Sequence, residues 1–144
     1  MTWNAEARLR YAGLGGMPPA RADGLVWGEG GRAALPYRRF GSILLALGDP
    51  AGAPGDQASA IWRLRDLAAQ EGREPAVWGA GPRLLTIYAD LGLSALRLGV
   101  DGRPLPADSE PASNTARYLV CKVERHLQAL LPHLPPAGDH ATAD

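Results

Sequence analysis

Asp49 is the side chain best placed in this sequence to do chemistry. The apolar run Ile43-Leu44-Leu45-Ala46-Leu47 reads as a strand and stops abruptly at Gly48-Asp49-Pro50. Two readings are open. A carboxylate at a strand end can stand at the rim of a ligand cleft, or it can fold back on its own backbone as an Asx-type turn ahead of Pro50. Gly79-Ala80-Gly81 is the second candidate, because it lies between a strand and a helix start, where free N–H groups favour an anion. It lacks the third glycine of a dinucleotide loop and the Gly-Lys-Ser/Thr of a P-loop, so a structural turn competes with a substrate-binding role for Gly79 and Gly81. Asp90 and Arg97 flank Gly92 and are either substrate-binding residues or a structural ion pair. His126, His133 and His140 are evenly spaced, but Pro132 prevents one helix from presenting all three. With no H-E-x-x-H pattern, no metal site is expected, and nothing in the chain calls for a cofactor. No G-x-S-x-G elbow supports a hydrolase triad.

The elements that must position these residues follow from apolar periodicity. Residues 4–12 are expected to form a short helix. Leu25-Val26-Trp27, Ala33 to Tyr37 and Ser42 to Leu47 read as three strands joined by turns at Glu29-Gly30-Gly31 and Gly41, an antiparallel meander. Pro36 predicts an edge position or a bulge for the second of them. Asp56 is the expected N-cap of a helix carrying Ala60, Ile61, Leu64, Leu67 and Ala68 on one face, stopped by Gly72. Pro75 to Trp78 is a fourth strand. A short helix follows with Pro82 at its first position and Leu84, Leu85, Tyr88 and Leu91 buried. Leu93 to Leu98 is a fifth strand, and a polar loop covers Asp101 to Ser113. Ala116, Leu119, Val120, Val123, Leu127 and Leu130 then predict a final helix, capped at Ser113 or Asn114 and closed by Pro132. The order β-β-β-α-β-α-β-α is an α/β arrangement on a mixed sheet. The domain is expected over residues 24–131, after an N-terminal segment (1–23) and before a loose tail (132–144).

At 144 residues the chain has the size of one domain. Fifteen basic and fifteen acidic residues cancel, which argues against a strongly basic nucleic-acid footprint or a polybasic membrane patch. Arg38-Arg39 and Arg63/Arg65 are the only modest basic clusters and read as solvated surface. The lone Cys121 forms no internal disulfide and reads as a buried, inert thiol. Neither a signal peptide nor a membrane-spanning stretch is apparent.

Two stretches, "ILLALGDPAG" and "AIWRLRDLAAQEGREPAVWGAGPRLLTIYADLGLSALRLG", together resemble the soluble C-terminal domain of bacterial phosphatidylglycerol lysyltransferases, the lysylphosphatidylglycerol synthases. The shared pattern is a strand ending in A-L-G-D-P-x-G, a helix, a second strand, and L-x-x-Y-x-D-L-G-L-S-x-L-x-L-G, matched by Leu85, Tyr88, Asp90, Leu91, Gly92, Leu93, Ser94, Leu96, Leu98 and Gly99. The resemblance runs from about Gly24 to Gly99. It implies an acetyltransferase-like (GNAT-like) fold, the first of two in tandem. Such a pair moves an aminoacyl group from a charged tRNA to a phospholipid headgroup. The aminoacyl site is expected mainly in the second fold, so none of its residues can be placed on this sequence. The implied partners are a second GNAT-like chain or a second copy of this one, with aminoacyl-tRNA and phospholipid reached through it. The implied location is the cytoplasm, at the inner face of the membrane. Read on its own, the chain is expected to be incomplete as an enzyme; the alternative is a non-catalytic interaction or regulatory domain that keeps the fold. The R/Q-x-x-G-x-G/A loop of acyl-CoA N-acetyltransferases is not matched between Arg73 and Gly81, which weakens an acetyl-transfer reading.

Overall fold

A computed structural model of the chain describes residues 1–105 and 115–135. The described elements are α1 (Ala5–Gly13), β1 (Gly24–Trp27), β2 (Ala33–Phe40), β3 (Ile43–Ala46), β4 (Ala51–Gly52), α2 (Pro54–Gln70), β5 (Glu74–Ala80), α3 (Leu85–Asp90), β6 (Ser94–Arg97), β7 (Tyr118–Cys121) and α4 (Val123–Leu130), with 3-10 turns at Pro82–Leu84 and Leu131–His133. All seven strands join one sheet in the order β1-β2-β3-β5-β7-β6, with β4 also on β2. The meander pairs antiparallel as its glycine turns dictate. β3 and β5 are parallel, joined by α2 as a crossover, and β7 runs antiparallel between β5 and β6.

Alternation sorts the side chains of each strand onto the two faces. Leu35, Leu44, Val77 and Val120 meet Ile61 and Leu64 of α2 and Tyr88 of α3 on one face. Leu45, Trp78, Leu119 and Cys121 meet Leu130 and Leu134 on the other. α1 lies on Leu25 and Ala34 through Ala7 and Tyr11. Both faces are covered, so the interior strands read as continuous apolar runs rather than as alternation.

Four expectations change in the structure. The helix expected from Ala116 is strand β7 in its first half, and only Val123–Leu130 is helical. β7 is buried throughout, and a run buried on both faces matches a helical stripe as easily as a strand. The caps proposed at Ser113 and Asn114, and most of the loop ahead of them, lie outside the described residues, as does His140. Asp56 does not cap α2. Pro54 takes the first helical position after Ala53, while Asp56 accepts the amides of Gly30, Arg32 and Ala33 at 2.8, 2.9 and 3.1 Å and so ties the β1–β2 turn to the helix. Those backbone donors, Arg32 and Gly30 first, hold its carboxyl below the usual aspartate range.

Pro36 is not on an edge strand, since β2 pairs on both sides. Tyr37 faces Ala46 on β3 and Ala34 faces Ala51 on β4. Between those pairs β2 has Leu35 and Pro36, whereas the facing strand has Leu47, Gly48, Asp49 and Pro50. The excess bulges out of the sheet, and the missing N–H of Pro36 falls at that break, where only its carbonyl is used, by the amide of Leu47 at 2.9 Å. Gly79 and Ala80, read as part of a turn, belong to β5. Gly79 is a bulge residue at φ +87°, between the Trp78–Leu119 and Ala80–Tyr118 pairs.

Candidate functional site

Two bulges on adjacent parallel strands open the sheet at one end, one carrying Asp49 beyond β3 and the other Gly79 in β5. A cleft of about 840 Å³ forms there. Ligand sites of α/β sheets lie beyond the carboxyl ends of parallel strands, and this cleft has that position. Its lining includes Tyr11 and Met17, from the α1 end and the loop after it, and Arg83 and Arg117. Trp78 also lines it, and its indole N–H donates to the carbonyl of Gly102 at 3.0 Å.

Asp49 does not fold back on its own turn. Its Oδ2 accepts the Gly81 amide at 2.8 Å, and its Oδ1 accepts the Tyr88 hydroxyl at 2.7 Å. The carboxylate thus ties the β3 bulge to the end of β5 and to α3. Gly81 permits this approach, because a Cβ there would stand 3.2 Å from Oδ2. Burial pushes the Asp49 carboxyl above its usual range, against the opposing pull of the Tyr88 hydroxyl, the Gly81 amide and the charges of Arg117 and Arg83. Burial, reinforced by the Asp49 charge, raises the Tyr88 phenol well above its ordinary value, and raises Tyr11 to about 12. Both phenols stay protonated through the physiological range.

Of the residues named from sequence, Asp49, Gly79 and Gly81 come together in this cleft. Asp90, exposed at the end of α3, and Arg97, half-buried at the end of β6, are not among its lining residues. No ion pair joins them among the described residues. Sequence reasoning missed Arg83, Arg117, Tyr11 and the role of the Tyr88 hydroxyl. Tyr88 carried a signal: its helical spacing marks a core position, and a tyrosine buried there needs a partner for its O–H. Arg117 carried none, since the strand that follows it was read as helix. Cys121 is buried, and burial raises its thiol to about 11, in line with the inert reading. His133 stacks on Phe40 at 4.7 Å between ring centroids, and no group of three or more His, Cys, Asp or Glu residues suited to a metal occurs among the described residues.

A mixed sheet with a parallel β3–β5 pair bulged apart over a cleft, flanked by helices on both faces, defines a GNAT-like α/β domain. The chain belongs to the family described as phosphatidylglycerol lysyltransferase, C-terminal, whose model matches residues 20–110. It is similar to the lysylphosphatidylglycerol biosynthesis bifunctional protein LysX of Mycobacterium ulcerans, 34% identical over 115 residues, which are 78% of this chain and 10% of that protein. The LysX protein of Rhodococcus opacus is 38% identical over 107 residues, 69% of this chain and again 10% of the relative. The chain therefore spans about a tenth of the length of these curated relatives. Among solved structures it is similar to the C-terminal domain of a protein described as a lysylphosphatidylglycerol synthetase from Agrobacterium fabrum. That likeness has a TM-score of 0.59 and 27% identity, covering 67% of this chain and 33% of that one. L-PGS from Bacillus licheniformis shares the fold, with a TM-score of 0.52 and 22% identity over 65% of this chain and 27% of that one.

Proposed function

We propose that this domain serves aminoacyl transfer from a charged tRNA to phosphatidylglycerol, as the first of two GNAT-like folds, and that it makes no aminoacyl lipid alone. The observation that carries the transfer reading is the family match across residues 20–110. The reading of incompleteness draws on the cleft. Both oxygens of Asp49 are engaged by an amide and a phenol, and Tyr88 and Tyr11 hold their protons tightly. Asp49, the one carboxylate among the residues lining the cleft, is thus read as a brace between the β3 bulge, β5 and α3 rather than as the base that activates a headgroup hydroxyl. A second GNAT-like fold, on a longer polypeptide or on a partner chain, supplies what is lacking. Asp49, Gly79 and Gly81 shape the substrate side of the site. The work is done at the cytoplasmic face of the membrane, and no helix among the described residues is long and apolar enough to cross it.

The test is turnover. The 144-residue chain mixed with lysyl-tRNA and phosphatidylglycerol vesicles is expected to yield no lysyl lipid. Adding a chain that carries the second fold is expected to start the reaction. Turnover by the isolated chain that disappears in Asp49→Ala would overturn the proposal and make the aspartate catalytic.

A further inference from the structure

Four residues that line the cleft, Tyr11, Gly15, Met17 and Pro19, come from the chain ahead of β1. The family match covers residues 20–110, so this segment precedes the region that defines the family. Tyr11 is 4% exposed, and burial, followed by the Asp49 charge, raises its phenol. Its hydroxyl has no hydrogen-bond partner among the described residues. No fully buried side-chain oxygen lacks one, so this oxygen keeps an open side. Tyr11 therefore fills part of the cleft without a polar tie that fixes it there.

α1 itself is lightly held. Only Ala7 and Tyr11 of the helix are buried, and they pack with Leu25 and Ala34 apart from the two larger clusters of the sheet. Leu9, 74% exposed, stands on the opposite side of the helix. Among the described residues the one ion pair of α1, Glu6 with Arg10, lies within it. Its ties outward include the Leu25 amide on the Met1 carbonyl at 2.8 Å, Arg8 Nη1 on the Pro19 carbonyl at 2.8 Å, and the Arg10 guanidinium 4.8 Å from the Trp27 ring centroid. Behind it the chain reads Gly13-Leu14-Gly15-Gly16. Gly15 sits at φ +93°, a conformation open to glycine. A Cβ on Gly16 would run into the Tyr11 ring, so that glycine seats the ring. Little buried surface beside a glycine joint is the makeup of an element that opens while the rest stays folded.

We propose that residues 1–16 form a flap that gates the cleft. It turns about residues 13–16, seating Tyr11 against Gly16 when closed and carrying it out of the lining when open. Opening uncovers Ala7, Tyr11, Leu25 and Ala34 and leaves both larger clusters intact, so it costs less than unfolding. A gate of this kind acts on any ligand of the cleft and holds whether or not the transferase reading does.

Hydrogen exchange of the full chain, resolved by NMR across a urea series, tests this. The amides of residues 8–14 are expected to exchange through an opening about a hundredfold or more better populated than the one that exposes β2, β3 and β5. That opening should depend little on urea, because it uncovers little surface. Gly15→Ala strains the closed joint without a new contact, since its Cβ would meet nothing within 4 Å. It should speed α1 exchange about tenfold and leave the sheet amides at their rates. Gly31→Ala sets a similar strain, at φ +68° and again in open space, in the β1–β2 turn, and should not move α1. Access is read by maleimide labelling of Leu47→Cys, at a lining position, with the buried Cys121 as an unreactive standard. Adding Gly15→Ala should raise that labelling rate by the same factor. Exchange of α1 only together with the sheet, at the same urea dependence, would overturn the flap, as would α1 rates unmoved by Gly15→Ala. An α1 with no protection at all would overturn the closed state. Labelling indifferent to Gly15→Ala, while α1 exchange follows it, would overturn the gate.

Discussion

Asp49 shows what a buried carboxylate costs when its partners are neutral. Burial raises its folded-state affinity for a proton above that of the unfolded chain. The native state therefore binds more protons in that window, and this contribution to stability falls as pH rises through the raised value. Asp49→Asn removes the charge and keeps an oxygen for the Gly81 amide and a polar partner for the Tyr88 hydroxyl. The variant is expected to melt higher than wild type at pH 7, with the difference fading as pH falls below the ordinary aspartate value. A melting temperature lower than wild type at pH 7 would show that Arg83 and Arg117 outweigh burial. Asp49→Leu instead leaves the hydroxyl of the buried Tyr88 without its acceptor, and is expected to cost about 1–3 kcal/mol by denaturant titration. Glu71 has the opposite sign. Its hydrogen bonds from Arg39 and Arg73 hold it at about 2, so its contribution is present above the ordinary glutamate value and lost as pH falls toward 2. At this scale the sequence revealed that Asp49 ends a strand, but not its bonds to Gly81 and Tyr88. Those partners lie 32 and 39 residues away, and no local pattern encodes such contacts.

Elements with one buried face were legible; of those buried on two faces, β3 and β5 were read as strands because turn residues bound them, and β7 was not. α2 showed a stripe because its other side meets water, and the structure buries Ala60, Ile61, Leu64 and Ala68 as that stripe requires. Leu64 is 1% exposed between the helix and the sheet. Leu64→Ala should therefore cost about 2–5 kcal/mol, and an unchanged urea midpoint would show that the helix face is misassigned. β7 had no such contrast, and its neighbours Val123, Leu127 and Leu130 extended an accidental helical spacing through it. The strand-breaking residues proved more informative than the apolar ones. Pro36, read as an edge or a bulge, and Gly48-Asp49-Pro50, read as a strand end, mark the same bulge from opposite strands. Asp56 misled because a carboxylate near a helix start reads as a cap, while its three donors come from a turn folded against it from another part of the sheet.

On the scale of the whole molecule, the antiparallel meander and the α2 crossover make one half of the sheet, and β5, β7 and β6 make the other. β7 arrives last in the chain yet sits between β5 and β6, so it alone connects β6 to the rest by a ladder. Leu119 and Cys121, both fully buried, carry one core across to Leu130, while Val120 joins the other. The cleft depends on this strand too, because Arg117 immediately precedes it. A chain ended after Gly99 keeps nearly all of the motif by which the family can be read, but loses the strand that closes the fold. It would expose the edge of β5 and strip the cover from Ala76 and Trp78, leaving β6 to hang from α3. Such a truncated chain is therefore expected to show no cooperative urea transition and a collapsed near-ultraviolet dichroism signal. The full chain should unfold in a single step. A sharp transition in the truncated chain, with tryptophan signals like those of the full one, would mean that residues before Gly99 fold independently and that β7 only docks on a finished sheet. The ladder argues otherwise: β7 is the strand that joins β6 to β5, so the sheet on this side of β5 closes only once β7 is in place.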